Sequence, residues 1–237
     1  RWLLSKRRLQ EANRVLESVG IEPLQSTGSE ASQVNNFGFL RSRFVLLRIV
    51  FLTVVWILIL LPIYASLLLV VEFVNQGYTI SESIMIGILS STGFVAGGAV
   101  AITLADRLER KYQVAMASIA IGIGFILRGL LVHDFGGLTA ASFIAFFGNA
   151  WVITALLAYT AENFPTHTRS SASGIVEGSS RGLAAVAPFI FIVLQPFGFL
   201  TIMVGFAAFA LAGAAVMAVL GIRTRGQSLE KLSHEAA

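Results

Sequence analysis

The sequence predicts an all-α membrane protein: a bundle of six spanning helices preceded by a short polar helix. Three observations carry the prediction. Of 237 residues, 56% are hydrophobic and only 13% charged, about half the charge fraction of an ordinary soluble domain. The apolar residues gather into six runs, each reaching the roughly 20 residues needed to cross the hydrocarbon of a bilayer. The basic residues between those runs fall in alternate connections, and so on one side, as the positive-inside bias of spanning segments requires. Length also excludes strands, because a strand of that size leaves an open edge that lipid cannot satisfy.

Residues 1–43 are the long polar stretch. Ser5 is placed to cap a helix over about Lys6–Val19, with Leu9, Ala12, Val15, Leu16 and Val19 on one face and Gly20 as the stop. A run rich in Gln, Ser, Asn and Gly then reads as a linker. The six apolar runs follow at 44–72, 84–105, 112–132, 138–160, 171–194 and 199–222, and residues 223–237 form a polar tail. Short connections make sequential neighbours antiparallel. Pro62 is placed to break the first run in its second half, and Pro188 and Pro196 to break the fifth.

Orientation follows from counting Lys and Arg. The opening segment to Arg43 holds seven, the second connection Arg107, Arg110 and Lys111, the fourth Arg169, and the tail three. The first, third and fifth connections hold none. Both termini and the even connections are therefore expected in the cytoplasm, with the chain in the inner, cytoplasmic membrane. Arg48, Arg128 and Arg181 alone lie within the runs, and Arg48 and Arg128 are near enough to helix ends to snorkel. Since topology accounts for the net charge of +4, no nucleic-acid partner is expected.

Catalysis finds no foothold. There is no cysteine, and His133, His167 and His234 are scattered over separate loops and the tail. No metal-ligand pair, G-x-S-x-G elbow or phosphate-binding glycine loop occurs. The chain is not expected to be an enzyme or to hold a cofactor or metal.

Four polar motifs lie on the expected cytoplasmic side. They are LADRLERK from Leu104 to Lys111, AENFPTHTRSSASG from Ala161 to Gly174, TRGQSLEKL from Thr224 to Leu232, and the opening RWLLSKRRLQEA. In this order they resemble the C-terminal half of a major facilitator superfamily transporter, in its sugar-porter and metabolite/proton-symporter branches. The resemblance covers nearly the whole chain. It implies a six-helix half-bundle built as a 3+3 inverted repeat, preceded by a cytoplasmic linker helix, and a missing N-terminal six-helix half. The chain opens on Arg1 without a methionine or a signal-like segment, and is read as the C-terminal part of a longer protein.

Within that resemblance the loop charges acquire a role. Asp106 can accept from the amides at a neighbouring helix start, and Arg107 and Arg110 can fork onto Glu162 or onto Glu230 of the tail. Arg169, at the start of the fifth run, bridges loops. The resemblance implies that these six residues form a cytoplasmic gate, latched in one conformation and released in another. The bland alternative is that they only set topology. The DR loop departs from the family pattern at Ile102 and Glu109, where glycine is usual. That points to looser helix contact, or to a Glu109 that competes for the arginines.

The fifth run holds the sharpest chemistry. At 100° per residue, Gly174, Gly178, Gly182 and Ala185 form a stripe suited to close helix approach. Glu177 and Arg181 flank it, one helical turn apart. Counting about 1.5 Å per residue from Arg169 puts Arg181 near the middle of the bilayer, the depth at which the family binds substrate. A charged pair there is a functional feature by default. Arg181 can clamp a substrate carboxylate or pair with Glu177. Glu177 is the candidate proton-coupling site. Asn149, Trp151, Trp56 and Tyr64 are further candidate substrate contacts, with helix packing as the alternative.

The expected function is thus proton-coupled transport of a small metabolite, an organic or aromatic acid, by alternating access. The partners are substrate, proton, membrane lipid and the missing half. A sugar is the alternative substrate, although the first run lacks the paired glutamines that sugar porters often use. A transport-dead membrane sensor is the third reading.

Overall fold

A computed structural model describes residues 9–18, 43–164 and 168–222. Their regular structure is entirely helical. Helix α1 (Leu9–Ser18) belongs to a compact unit of its own. Its Gln10, Glu11, Arg14 and Glu17 are exposed at three- and four-residue spacing, the solvated face of an amphipathic helix.

The second unit contains the six spans, each long and apolar enough to cross a membrane. The first span is α2 (Arg43–Ala65), a 3-10 turn over Ser66–Leu68, and α3 (Leu69–Asn75). The second is α4 (Ile80–Leu104), the third α5 (Arg110–Leu130) and the fourth α6 (Phe135–Glu162). The fifth is α7 (Arg169–Ala184), α8 (Ala187–Leu194) and a 3-10 turn over Gln195–Phe197. The sixth is α9 (Phe199–Leu220).

Local chemistry explains the starts and breaks. Thr79 and Glu82 form a reciprocal capping box that opens α4. The Asp134 carboxylate accepts from the amides of Gly136 and Gly137 to open α6. Gly198, at φ +91°, supplies the left-handed turn into α9. Pro62 sits inside α2, and four residues after it the helix tightens into the 3-10 turn, where Ser66 Oγ donates to the Pro62 carbonyl at 3.1 Å. The fifth span breaks at Ala185 and Val186, so that Pro188 falls in the first turn of α8, where its missing N–H is harmless.

The helix pairing has an internal symmetry. The main neighbours are second with fourth, third with fourth, third with sixth, first with fifth and first with sixth. Exchanging the first three spans for the last three maps this set onto itself. Because spans one and four run in opposite directions, the relation is an inverted 3+3 repeat. Packing fills the interior with Leu52, Trp56, Ile86, Ile121, Phe125, Leu156, Tyr159 and Phe206, all buried. Leu67, Val95, Phe189 and Val219 point outwards, apolar and exposed, as a lipid-facing surface demands.

Close helix approach occurs away from the expected stripe. A Cβ on Gly93 would meet the Phe143 carbonyl oxygen at 2.5 Å, and one on Gly97 would collide with the Phe147 carbonyl. These two glycines, one turn apart on α4, let its backbone lie directly on α6. By contrast, Gly174, Gly178 and Gly182 on α7 meet no atom within 4 Å. The α7 stripe therefore makes no close approach among the described residues. Its helix packs on α2 through Ala172, Val176, Ser180 and Ala184 instead.

Candidate functional site

Two polar regions are built on this frame, one at the helix ends that carry the basic loops and one deeper in the bundle. At the basic end, Arg110 is the hub. Its Nε lies 3.3 Å from Glu162 Oε1, and its Nη1 donates to the Ala105 carbonyl at 2.7 Å. One guanidinium thus joins the start of α5, the end of α6 and the turn after α4. Arg169 Nε, at the start of α7, donates to the Phe164 carbonyl at 3.4 Å, just past the end of α6. Asp106 and Arg107 are exposed, and Asp106 makes no hydrogen bond among the described residues. Glu230 lies outside the described residues. Of the six gate candidates, the structure brings Arg110 and Glu162 together, with Arg169 on the adjoining turn.

Other residues do as much there. Arg48 is buried and its Nη1 donates to the Asn163 carbonyl at 2.9 Å, tying α2 to the end of α6. Gln113 Nε2 donates to the carbonyls of Leu104 and Leu108, both at 3.0 Å, catching the orphan acceptors at the end of α4. Lys111 Nζ donates to the Gly221 carbonyl at 3.2 Å. The Tyr159 hydroxyl accepts from the Ile222 amide at 2.8 Å and donates to its carbonyl at 3.2 Å. Gln113 and Lys111 had a sequence signal, as polar side chains inside the first turn of an apolar helix. Tyr159 had none, since a tyrosine near a helix end reads equally well as an interfacial anchor.

Arg48 and Arg128 overturn the snorkelling expectation, both being buried. Fixed acceptors inside the bundle are within reach of each guanidinium, which outweighs the gain from extending it to water.

Deeper in the bundle, Arg181 Nη1 and Glu177 Oε2 are 3.0 Å apart. The Arg181 side chain is 52% exposed and that of Glu177 24%. Both flank the empty glycine stripe. Behind them, Ser180 Oγ reaches the Thr53 carbonyl at 3.4 Å, and the hydroxyls of Thr53 and Ser179 are also 3.4 Å apart. The pair is therefore presented outward from a helix whose other face is fastened to α2.

The remaining candidates lie around α6. Seven and eleven residues are near-whole numbers of helical turns, so Ser142, Asn149 and Thr160 share one face within about 20°. Trp56 Nε1 donates to Thr160 Oγ1 at 2.9 Å, with the indole buried. Ser142 accepts from Arg128 Nε at 2.9 Å. Between them, Asn149 is buried, and neither its amide nitrogen nor its carbonyl oxygen has a partner among the described residues. Trp151 faces the opposite way, buried, with Nε1 3.5 Å from Gln113 Oε1 and its ring edge-on to Phe147. Tyr64 is half-buried two residues past Pro62. The five substrate candidates thus do not converge on one point: Arg181 is exposed on α7, Trp56 and Asn149 lie on one side of α6, and Trp151 on the other.

An unpartnered amide buried at this depth costs about 1–3 kcal/mol for each group.

Comparison with known proteins places this architecture. The fold matches the crystal structure of a double tryptophan mutant of XylE with a TM-score of 0.68 at 17% identity, over 100% of this chain and 54% of that one. The shared fold is the major facilitator fold, of which this chain forms a six-helix half. Among curated relatives, the putative metabolite transport protein YdjK of Escherichia coli is 25% identical over 100% of this chain and 54% of its own. The niacin transporter NiaP of Acinetobacter baylyi is 28% identical over 67% of this chain and 36% of its own. Synaptic vesicle 2-related protein of Rattus norvegicus is 30% identical over 58% and 25% respectively. The chain spans about half the length of YdjK or less of the others. One family profile, Sugar (and other) transporter, runs through residues 1–236, joining the loops, the six spans and the buried polar face described above, and the chain accordingly belongs to that family of multi-pass membrane proteins.

Proposed function

We propose that the chain is the C-terminal half of a proton-coupled secondary transporter that moves a small organic or aromatic acid by alternating access. One observation carries the reading: the Glu177–Arg181 pair lies within a membrane span yet is presented outward, beside a glycine stripe that nothing among the described residues covers. Lipid is a costly neighbour for such a pair. A water-filled cavity shared with a second six-helix half is a suitable one, and the relatives' length leaves room for that half. In the cavity, Arg181 exchanges Glu177 for a substrate carboxylate, and Glu177, released from the ion pair, is the proton-coupling site. Niacin, the substrate in NiaP's name, is an aromatic acid and supports this choice. The arginine-rich loop ends face the cytoplasm, with the protein in the cytoplasmic membrane. The Arg110–Glu162 contact is then the cytoplasmic latch.

Asn149 favours a second reading, a sugar. A neutral amide with a free donor and acceptor suits hydroxyl groups better than a carboxylate.

Uptake by the full-length protein in sealed vesicles separates the readings. Nicotinate or benzoate accumulates under an inward proton gradient, and Arg181→Ala abolishes that accumulation at unchanged membrane insertion. Glu177→Gln leaves exchange of labelled substrate but removes concentration against a gradient. Accumulation of glucose or xylose that is indifferent to Arg181→Ala establishes the sugar reading, and no accumulation of any acid or sugar rejects transport.

A further inference from the structure

Arg128 lies two residues from the end of α5, where a long side chain can reach water at little cost. It turns inward and is fully buried. Nε donates to Ser142 Oγ on α6 at 2.9 Å, Nη2 to the Ser142 carbonyl at 3.5 Å, and Nη1 to Ser66 Oγ at 3.4 Å. The guanidinium carbon stands 4.8 Å from the Phe125 ring centroid and 5.4 Å from that of Phe146. None of these partners is a carboxylate. The two rings engage the guanidinium by cation–π contact, and its N–H groups are directed at α6 and at Ser66.

Ser66 opens the 3-10 turn that divides the first span. Its hydroxyl donates to the Pro62 carbonyl, in a stretch where the proline ring already denies the preceding turn a backbone donor. Arg128 therefore has a short grip on α6 and a long one on the break of the first span.

We propose that Arg128 is a positioning residue that fastens the break of the first span to α6 at the end of the bundle opposite the basic loops. Anchored on Ser142, it holds the segment Ser66–Asn75 shut through the weaker Ser66 contact, and loss of that contact frees α3 to swing away. Neutral serine partners are what make the contact releasable, since a carboxylate at Ser66 would pair with the guanidinium in a medium of low dielectric and lock the break. As a gate, the device rests on the transport reading above. The latch itself is measurable without any substrate, so failure of one is distinguishable from failure of the other.

Hydrogen–deuterium exchange on the full-length protein in lipid nanodiscs tests it, comparing the parent with Ser66→Ala, Arg128→Lys and Ser142→Ala. Lysine keeps the charge but lacks the rigid fork by which separate nitrogens of Arg128 reach Ser142 and Ser66. In Ser66→Ala and Arg128→Lys, amides of residues 66–75 are expected to exchange at least five-fold faster, with α5 and α9 unchanged. Ser142→Ala, which removes the shorter of the two anchoring bonds, gives the same local pattern. Unchanged exchange over 66–75 in Arg128→Lys overturns the proposal. So does a rise spread evenly over α5, α6 and α9, which would make Arg128 a general packing residue.

Discussion

At the scale of single residues, Asn149 and Arg128 show two opposite ways of placing a polar group inside an apolar bundle. Arg128 has its hydrogen bonds supplied by serines and its ring contacts by Phe125 and Phe146. Asn149 has neither amide atom partnered among the described residues. The consequence is a trade of stability against activity. Asn149→Leu replaces an unsatisfied amide with an apolar group of similar size, which is neutral or stabilising by about 1–2 kcal/mol. If the amide serves the substrate, the same change lowers uptake at least ten-fold. Thermal unfolding in detergent and vesicle uptake, measured on one preparation, give the two numbers, and a clear fall in melting temperature would show that Asn149 is partnered in the intact protein. Tyr78, on the loop after α3, offers a pH test. Its hydroxyl donates to the Val132 carbonyl at 2.7 Å, and burial, with Asp134 and then Glu82 nearby, raises its pKa above the usual 10.0. The protonated phenol is thus favoured in the folded state. Its contribution is complete below the ordinary tyrosine range and is lost as pH rises through the raised value. Parent and Tyr78→Phe should differ in stability by a constant amount up to about pH 9 and converge above it.

At the scale of elements, glycine spacing tells helix contact only when the partner is known. The stripe Gly174, Gly178, Gly182 and the pair Gly93, Gly97 have the same four-residue period. The structure uses the pair on α4 to bring its backbone against α6 and leaves the stripe on α7 open. Gly97→Ala drives a methyl into the Phe147 carbonyl, an overpacking that costs about 3 kcal/mol. Gly178→Ala should leave the stability of the half unchanged, because its methyl meets no atom among the described residues. Any loss of uptake in Gly178→Ala with normal folding then places a partner surface on the stripe. Equal destabilisation by the two substitutions would contradict this packing.

At the scale of the whole molecule, the basic ends of the spans are joined by contacts of different strength. Arg48 to Asn163, Lys111 to Gly221 and Tyr159 to Ile222 involve buried side chains. The Arg110–Glu162 pair is partly exposed, at 21% and 35% of its side chains, and is worth no more than about 1 kcal/mol. That is a useful size for a switch, since it shifts a two-state population by about five-fold. Glu162→Gln should therefore raise the labelling rate of a cysteine introduced at Leu108 by no more than about five-fold, and a double charge swap of Arg110 and Glu162 should restore it. The 237 residues contain no competing cysteine. An unaltered rate in Glu162→Gln would reduce the pair to a topological charge.

Composition and the length of the apolar runs were enough for six helices and their alternation of direction, because lipid permits no other way to satisfy a backbone over such lengths, while the four loop motifs carried the resemblance to the family. The loop motifs likewise located Arg110 and Glu162 before any geometry was known. Which face of each helix met which neighbour was not determined by the sequence, since helices that are apolar all round carry no stripe to point inward. Only the packed structure decided that Arg48 and Arg128 turn in, that Trp56 finds Thr160 while Trp151 finds Gln113, and that Gly93 and Gly97 mark a close helix contact. Long side chains and small gaps choose among several apolar faces by local fit, which depends on three-dimensional neighbours far apart in the chain.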